Sequence, residues 1–223
     1  MKLLLSLVFG AMLASSSFAQ RSTPVQLLHP EGAAGDSFGS ALAISGDTMV
    51  VGSQYDDVGA NADQGSVHIY RWAGSGWVLE ATLAAADGAA GDFFGGTVAI
   101  SGDTAVVGAT GDDVGANVDQ GSAYVFVRAG STWTQQAKLT ASDGAASDTF
   151  GVAAISGDTI VVGAFFDDVG ANSNQGSAYV FTRSGSAWTQ QAQLTANDGA
   201  SGDAFGWSVA VSADTIVVGA YNE

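Results

Sequence analysis

The sequence predicts an all-β protein built as an incomplete β-propeller of four-stranded antiparallel blades, and three observations predict it. A loop-and-strand stretch, Asp112 to Phe126, recurs almost letter for letter from Asp56 and from Asp167. The Phe-Gly pairs Phe38-Gly39, Phe94-Gly95, Phe150-Gly151 and Phe205-Gly206 repeat at a near-constant interval, so the whole chain is a repeat array. Between these landmarks apolar residues alternate with period two and are bounded by Gly, Asp and Ser, and helical spacing is absent.

The chain divides accordingly into 1–19, 20–37, repeats at 38–93, 94–149 and 150–204, and a partial repeat at 205–223. Residues 1–19 have the form of a signal peptide: Lys2, an apolar run from Leu3 to Leu13, and Ser17-Phe18-Ala19 before the cleavage point. The run is shorter than the ~20 residues a bilayer requires. The expected location is therefore secreted, periplasmic or at the cell surface. The absence of cysteine removes disulfides and thiolate metal sites. Residues 20–37 align with the end of a later repeat, Val25 and Leu27 falling opposite Ala137 and Leu139, and predict an outer strand that completes a blade.

In the second repeat the first strand is expected at 97–101 and the second at 104–109, joined across Gly102-Asp103. Ala213 replaces that glycine in the fourth repeat, so no turn type demanding positive φ is assigned. The third strand is expected at 122–128 and the fourth at 133–140. Such a meander has two apolar faces, and neighbours must stack to bury them. The apolar second strand suits burial between blades, the polar fourth strand suits a rim, and Gly108-Ala109 permits close approach. A β-solenoid is the alternative architecture. The third repeat is one residue short after Phe150-Gly151, where a different bulge is expected.

The pairing of Phe94-Gly95 with Gly108-Ala109, Phe150-Gly151 with Gly163-Ala164 and Phe205-Gly206 with Gly219-Ala220 resembles the FG-GAP repeat. That resemblance implies the propeller of integrin α-subunit heads and of secreted bacterial proteins, hence binding or adhesion without catalysis. It also implies larger rings, so the chain is expected to be a fragment lacking further blades, with exposed edges that favour self-association. Integrin-type blades carry an acidic calcium loop between the first two strands. Here Ser101-Gly102-Asp103 replaces it, and that site is not carried over.

The formal charge of -16 excludes ordinary nucleic-acid binding and disfavours anionic lipid. Most of the 22 acids fall on one face, in the loops between second and third strands and in the connectors between blades. Candidate calcium ligands there are Asp56, Asp57, Asn61 and Asp63, then Asp112, Asp113, Asn117 and Asp119, then Asp167, Asp168, Asn172 and Asn174. The competing reading makes these residues turn formers, with Gly115 in an unusual conformation and Gln120 tying the loop to the third strand. Trp77, Trp133 and Trp188 recur and read as packing, as do Tyr124 and Tyr179, where His68 stands in the first repeat. Trp72 and Trp207 break the pattern and are candidates for sugar or partner contact.

No nucleophile elbow or histidine cluster is visible, so no catalytic residue or other cofactor is expected. Paired acids that recur in every blade suit multivalent binding better than a singular catalytic pair. Two further readings stay open, an accessory propeller of a longer secreted enzyme and a purely structural surface repeat.

Overall fold

The computed structural model describes residues 3–5 and 25–222. All its regular elements are β-strands, and no helix of the described residues is long and apolar enough to cross a membrane. Apart from Leu3–Leu5, the stretch expected to direct export lies outside the described residues.

Strands β3 (Leu42–Ser45), β4 (Thr48–Ser53), β5 (Ser66–Trp72) and β6 (Trp77–Leu83) form the first blade. The second comprises β7 (Thr97–Ser101), β8 (Thr104–Ala109), β9 (Ser122–Ala129) and β10 (Thr132–Leu139), and the third β11 (Phe150–Ser156), β12 (Thr159–Ala164), β13 (Ser177–Ser184) and β14 (Ala187–Leu194). Each is an antiparallel meander in sequence order. A hairpin, β15 (Ser208–Ser212) and β16 (Thr215–Gly219), follows as the fourth unit. At the other end β1 (Leu3–Leu5) pairs with β2 (Val25–Leu27). First strands stack in succession, β3 on β7, β7 on β11 and β11 on β15, and the described residues do not close a ring.

The core lies between blades, because a four-stranded sheet presents an apolar face on each side. Alternation along β8 sends Val107 and Ala105 toward Phe94, Val50 and Ile69, and Val106 toward Phe150, Val162 and Tyr179. Every residue of β8 is buried, whereas β10 is largely exposed at its start, as a rim strand should be. Leu27 packs on Phe38 and Tyr70 as Leu83 packs near Phe94 and Leu139 near Phe150. The N-terminal segment thus takes the place of a preceding blade's last strand.

The Phe-Gly and Gly-Ala halves of the repeat meet across the seam between blades. A Cβ on Gly108 would lie 1.9 Å from the Gly151 carbonyl oxygen of the next blade, and one on Gly163 2.0 Å from that of Gly206. Only a hydrogen fits there. The glycines that open β9 and β13 act likewise: a Cβ on Gly121 or Gly176 would lie 2.1 Å from the carbonyl oxygen of Phe150 or Phe205.

The hairpin joining β15 to β16 has Ala213 at φ 48, beside Gly102 and Gly157 both at φ 57 in the equivalent turns. Positive φ is therefore required at that position even where glycine is absent, since the tight turn must follow the strand twist. In the third blade the shortened segment draws Phe150 into β11, and the register shifts between Phe150 and Val152. The missing residue is absorbed by a bulge.

Candidate functional site

Two sets of loops build one face of the array: the connections β4–β5, β8–β9 and β12–β13, and the connectors between blades. In each of the former, Val and Asn exchange backbone hydrogen bonds around a two-residue turn, as in Val114 with Asn117, and Gly59, Gly115 and Gly170 all sit at φ 65. The second Asp clamps the turn. Oδ1 of Asp57, Asp113 and Asp168 accepts the backbone N–H of Asp63, Asp119 and Asn174 at 2.8–2.9 Å. Those three recipients take φ of 53–54, a conformation that Asp and Asn tolerate better than most residues.

The Asn side chains work across the seam. Asn61, Asn117 and Asn172 each donate to a glutamine in their own loop, Gln64, Gln120 or Gln175, and to the carbonyl of Gly88, Gly144 or Gly199 in the following connector. Gln120 therefore ties its loop to the connector rather than to the third strand, as its contact with Gly144 shows. In the connectors, Asp36, Asp92, Asp148 and Asp203 each accept the N–H three residues earlier, at 2.5–2.7 Å.

Of the four candidates in the second and third loops, the first Asp is the buried one, lying in the seam beside the connector acids. Between the first and second blades, Asp112 accepts from Tyr124 Oη at 3.1 Å, and Lys138 Nζ sits 2.7 Å from both Asp112 and Asp87. Burial would raise the Asp87 carboxyl, but hydrogen bonds from Lys138 and Tyr124 hold it below the usual range. Between the second and third blades the same backbone carries Gln193 in place of Lys138. Asp167 Oδ2 accepts from Ser177, from Tyr179 at 3.1 Å and from Gln193 at 3.3 Å, but among the described residues no ammonium answers the charge. A cavity of about 420 Å³ opens there, walled by Asp143, Asp148, Asp167, Asp168, Asn174 and Phe166.

Burial, and the charges of neighbouring acids, push Asp92 and Asp148 up to about 6 despite the backbone N–H that each accepts. Tyr124 and Tyr179 are raised as well, by burial and then by the carboxylates beside them. Chemically the face is a set of carboxylate pockets able to hold cations or accept hydrogen bonds from hydroxyl groups. Its aromatic margin lies at the third and fourth units, where Trp207, 45% exposed, meets Phe165 edge-on and Tyr221 at a tilt, both at 4.8 Å between ring centroids. Trp72 lies edge-on to Trp77 at 5.7 Å, on the opposite face of the array.

The recurrent tryptophans are more than packing. Each last strand carries a bulge at Glu80, Gln136 or Gln191. Glu80 accepts the Trp133 indole N–H at 2.8 Å, and Gln136 that of Trp188 at 3.0 Å. The first two bulges thus catch the tryptophan of the next blade. On the same side Arg128 and Arg183 pair with Asp103 and Asp158, and reach Thr48 and Thr104 of the preceding blade at 3.1 Å.

One constellation was not anticipated from the sequence. His29, Asp36 and Asp56 have ligand atoms within 4.8 Å of one another, and among the described residues no other group of three such side chains is gathered so closely. His29 occupies the place of Ala85 and Ala141, and His68 that of Tyr124 and Tyr179, so aligning the repeats exposes both substitutions.

No curated protein matches the chain. The FG-GAP repeat profile matches residues 24–70, 77–126, 133–181 and 188–223, each later match beginning at the tryptophan of a last strand and running into the next blade. These matches cover most of the sequence, and the chain belongs to the FG-GAP repeat family.

Proposed function

We propose that this is an exported, non-catalytic binding module of the adhesion type, whose ligand is an extracellular protein or glycan met on the acidic face. The observation that carries the reading is the cavity between the second and third blades, where four carboxylates face Phe166 and no ammonium of the described residues lines the wall. Carboxylates accept hydrogen bonds from sugar hydroxyls, an aromatic ring packs on their C–H faces, and calcium takes just such oxygen ligands. On this reading a calcium ion would draw in the carboxylates that wall the cavity, Asp167 and Asp168 from the loop and Asp143 and Asp148 from the connector.

The test is binding of the full chain to arrayed glycans and extracellular-matrix proteins, with calcium and then with chelator. Calcium-dependent capture that weakens at least tenfold in Asp167→Asn supports the reading. Capture indifferent to Asp167→Asn and to Asp148→Asn, or no capture under either condition, overturns it.

A further inference from the structure

The chain contains two histidines, and the fold brings both to one seam. Their ring centroids lie 4.3 Å apart where the N-terminal segment meets the first blade, with Phe38 edge-on to each. In the next two seams the corresponding Asp is held by a tyrosine hydroxyl and then by Lys138 or Gln193. Here Thr82 stands in place of the lysine and His68 in place of the tyrosine. Asp56 is met instead by His29, whose Nε2 lies 3.5 Å from Oδ2.

That distance is too long for a hydrogen bond. The His29 side chain is 6% exposed, and its Nε2 is one of five buried side-chain polar atoms without a hydrogen-bond partner among the described residues. His68 Nδ1 is another. Asp36 is buried and commits Oδ2 to the Ala33 N–H, which leaves its other oxygen available. A buried imidazole nitrogen facing two carboxylates without a bond to either lacks the atom that would satisfy all three.

We propose that His29, Asp36 and Asp56 form a binding site for one divalent transition-metal ion of the zinc class. One imidazole nitrogen and two carboxylate oxygens make a mixed set that zinc accepts and calcium, which prefers oxygen alone, does not. Three protein ligands leave a fourth position for water. Zinc–ligand distances of about 2.0–2.2 Å place ligand atoms about 3.4 Å apart in a tetrahedron, so the side chains close by roughly an ångström on loading.

His29 Nδ1 accepts a 3.2 Å contact from the Glu31 N–H across an exposed turn. Metal on Nε2 requires the proton on Nδ1, so loading shifts the tautomer and releases that contact. His68 offers no opposing charge: burial, then the nearby His29, holds it down at about 4. The bound ion fastens residues 29–36 to the loop at Asp56 and so fixes the N-terminal segment on the first blade.

The site is separate from the carboxylate cavity, and a different metal tests it. Full-length chain is titrated with zinc against a chromogenic chelator, with calcium in excess, while the ring protons of the two histidines are followed by NMR. The expected result is one equivalent bound, perturbation of the His29 ring, and affinity at least tenfold lower in both His29→Gln and Asp56→Asn. Melting of the metal-free variants checks that they fold. Equal zinc affinity in wild type and in a folded His29→Gln, or displacement of zinc by calcium, overturns the proposal.

Discussion

The seam between the first and second blades and the seam between the second and third share a backbone, and on the acidic face their charge balance differs by one cation. In the former, Lys138 bridges Asp87 and Asp112; in the latter, Gln193 leaves Asp143, Asp148 and Asp167 around an open cavity. A repeat can therefore keep its packing while each copy acquires its own electrostatics. The backbone contacts that position the acids lie in the glycines and amides, and the charge balance lies in one exchangeable side chain.

The contact that both seams share is the first to break. Gly108→Ala and Gly163→Ala each drive a methyl group into a carbonyl oxygen of the next blade, and each is expected to cost about 3 kcal/mol in denaturant unfolding. Equal losses in the two variants would show the seams to be mechanically alike; a loss under 1 kcal/mol would show that the backbone shifts freely.

Exchanging the cation separates them. Lys138→Gln is expected to destabilise by about 1–3 kcal/mol, discounted because Lys138 and Asp87 reach solvent while Asp112 does not. The reverse change, Gln193→Lys, supplies an ammonium to the acidic cavity and should abolish any calcium-dependent rise in melting temperature.

The two raised connector acids predict an unusual pH profile. Asp92 and Asp148 hold their protons up to about 6 in the folded state, above the ordinary carboxyl value, so between about pH 4 and 6 the folded chain binds more protons than the unfolded one. Their contribution therefore falls as pH rises through that window, by on the order of 2 kcal/mol per group. Asp92→Asn and Asp148→Asn should flatten the decline; an unchanged slope would place its origin elsewhere.

The finest contrast concerns the rim. Trp133→Phe leaves the Glu80 carboxylate without its indole donor and should cost about 1.5–3 kcal/mol, whereas Trp188→Phe deprives a neutral amide and should cost about 0.5–1.5 kcal/mol. Equal losses would mean that ring packing, and not the acceptor's charge, decides.

Strand positions were legible because period-two alternation and the recurring Phe-Gly and Gly-Ala pairs report local backbone and interblade packing together. The first two strands of the second blade fall at 97–101 and 104–109 as expected. The turn around Gly115 was legible for the same reason. What one repeat could not disclose was where its side chains reach in the next. Gln120 turned out to serve the connector, and the polar residue at each rim bulge looked like surface decoration until the following tryptophan was placed beside it. The pairing of His29 with His68 was hidden because one follows β2, the other lies in β5, and neither recurs; only superposing the copies shows that both break the pattern at one seam.

The rim bulge has a consequence for how such chains change in number. Each blade presents an indole on one side and an acceptor on the other, a head-to-tail relation that no single unit terminates. A whole unit inserted or deleted meets a bulge acceptor before it and an indole donor after it. Unequal recombination between near-identical copies such as those at Asp112 and Asp167 can thus lengthen or shorten the array by integral blades without creating an unmatched surface, leaving circumference to be selected as freely as sequence.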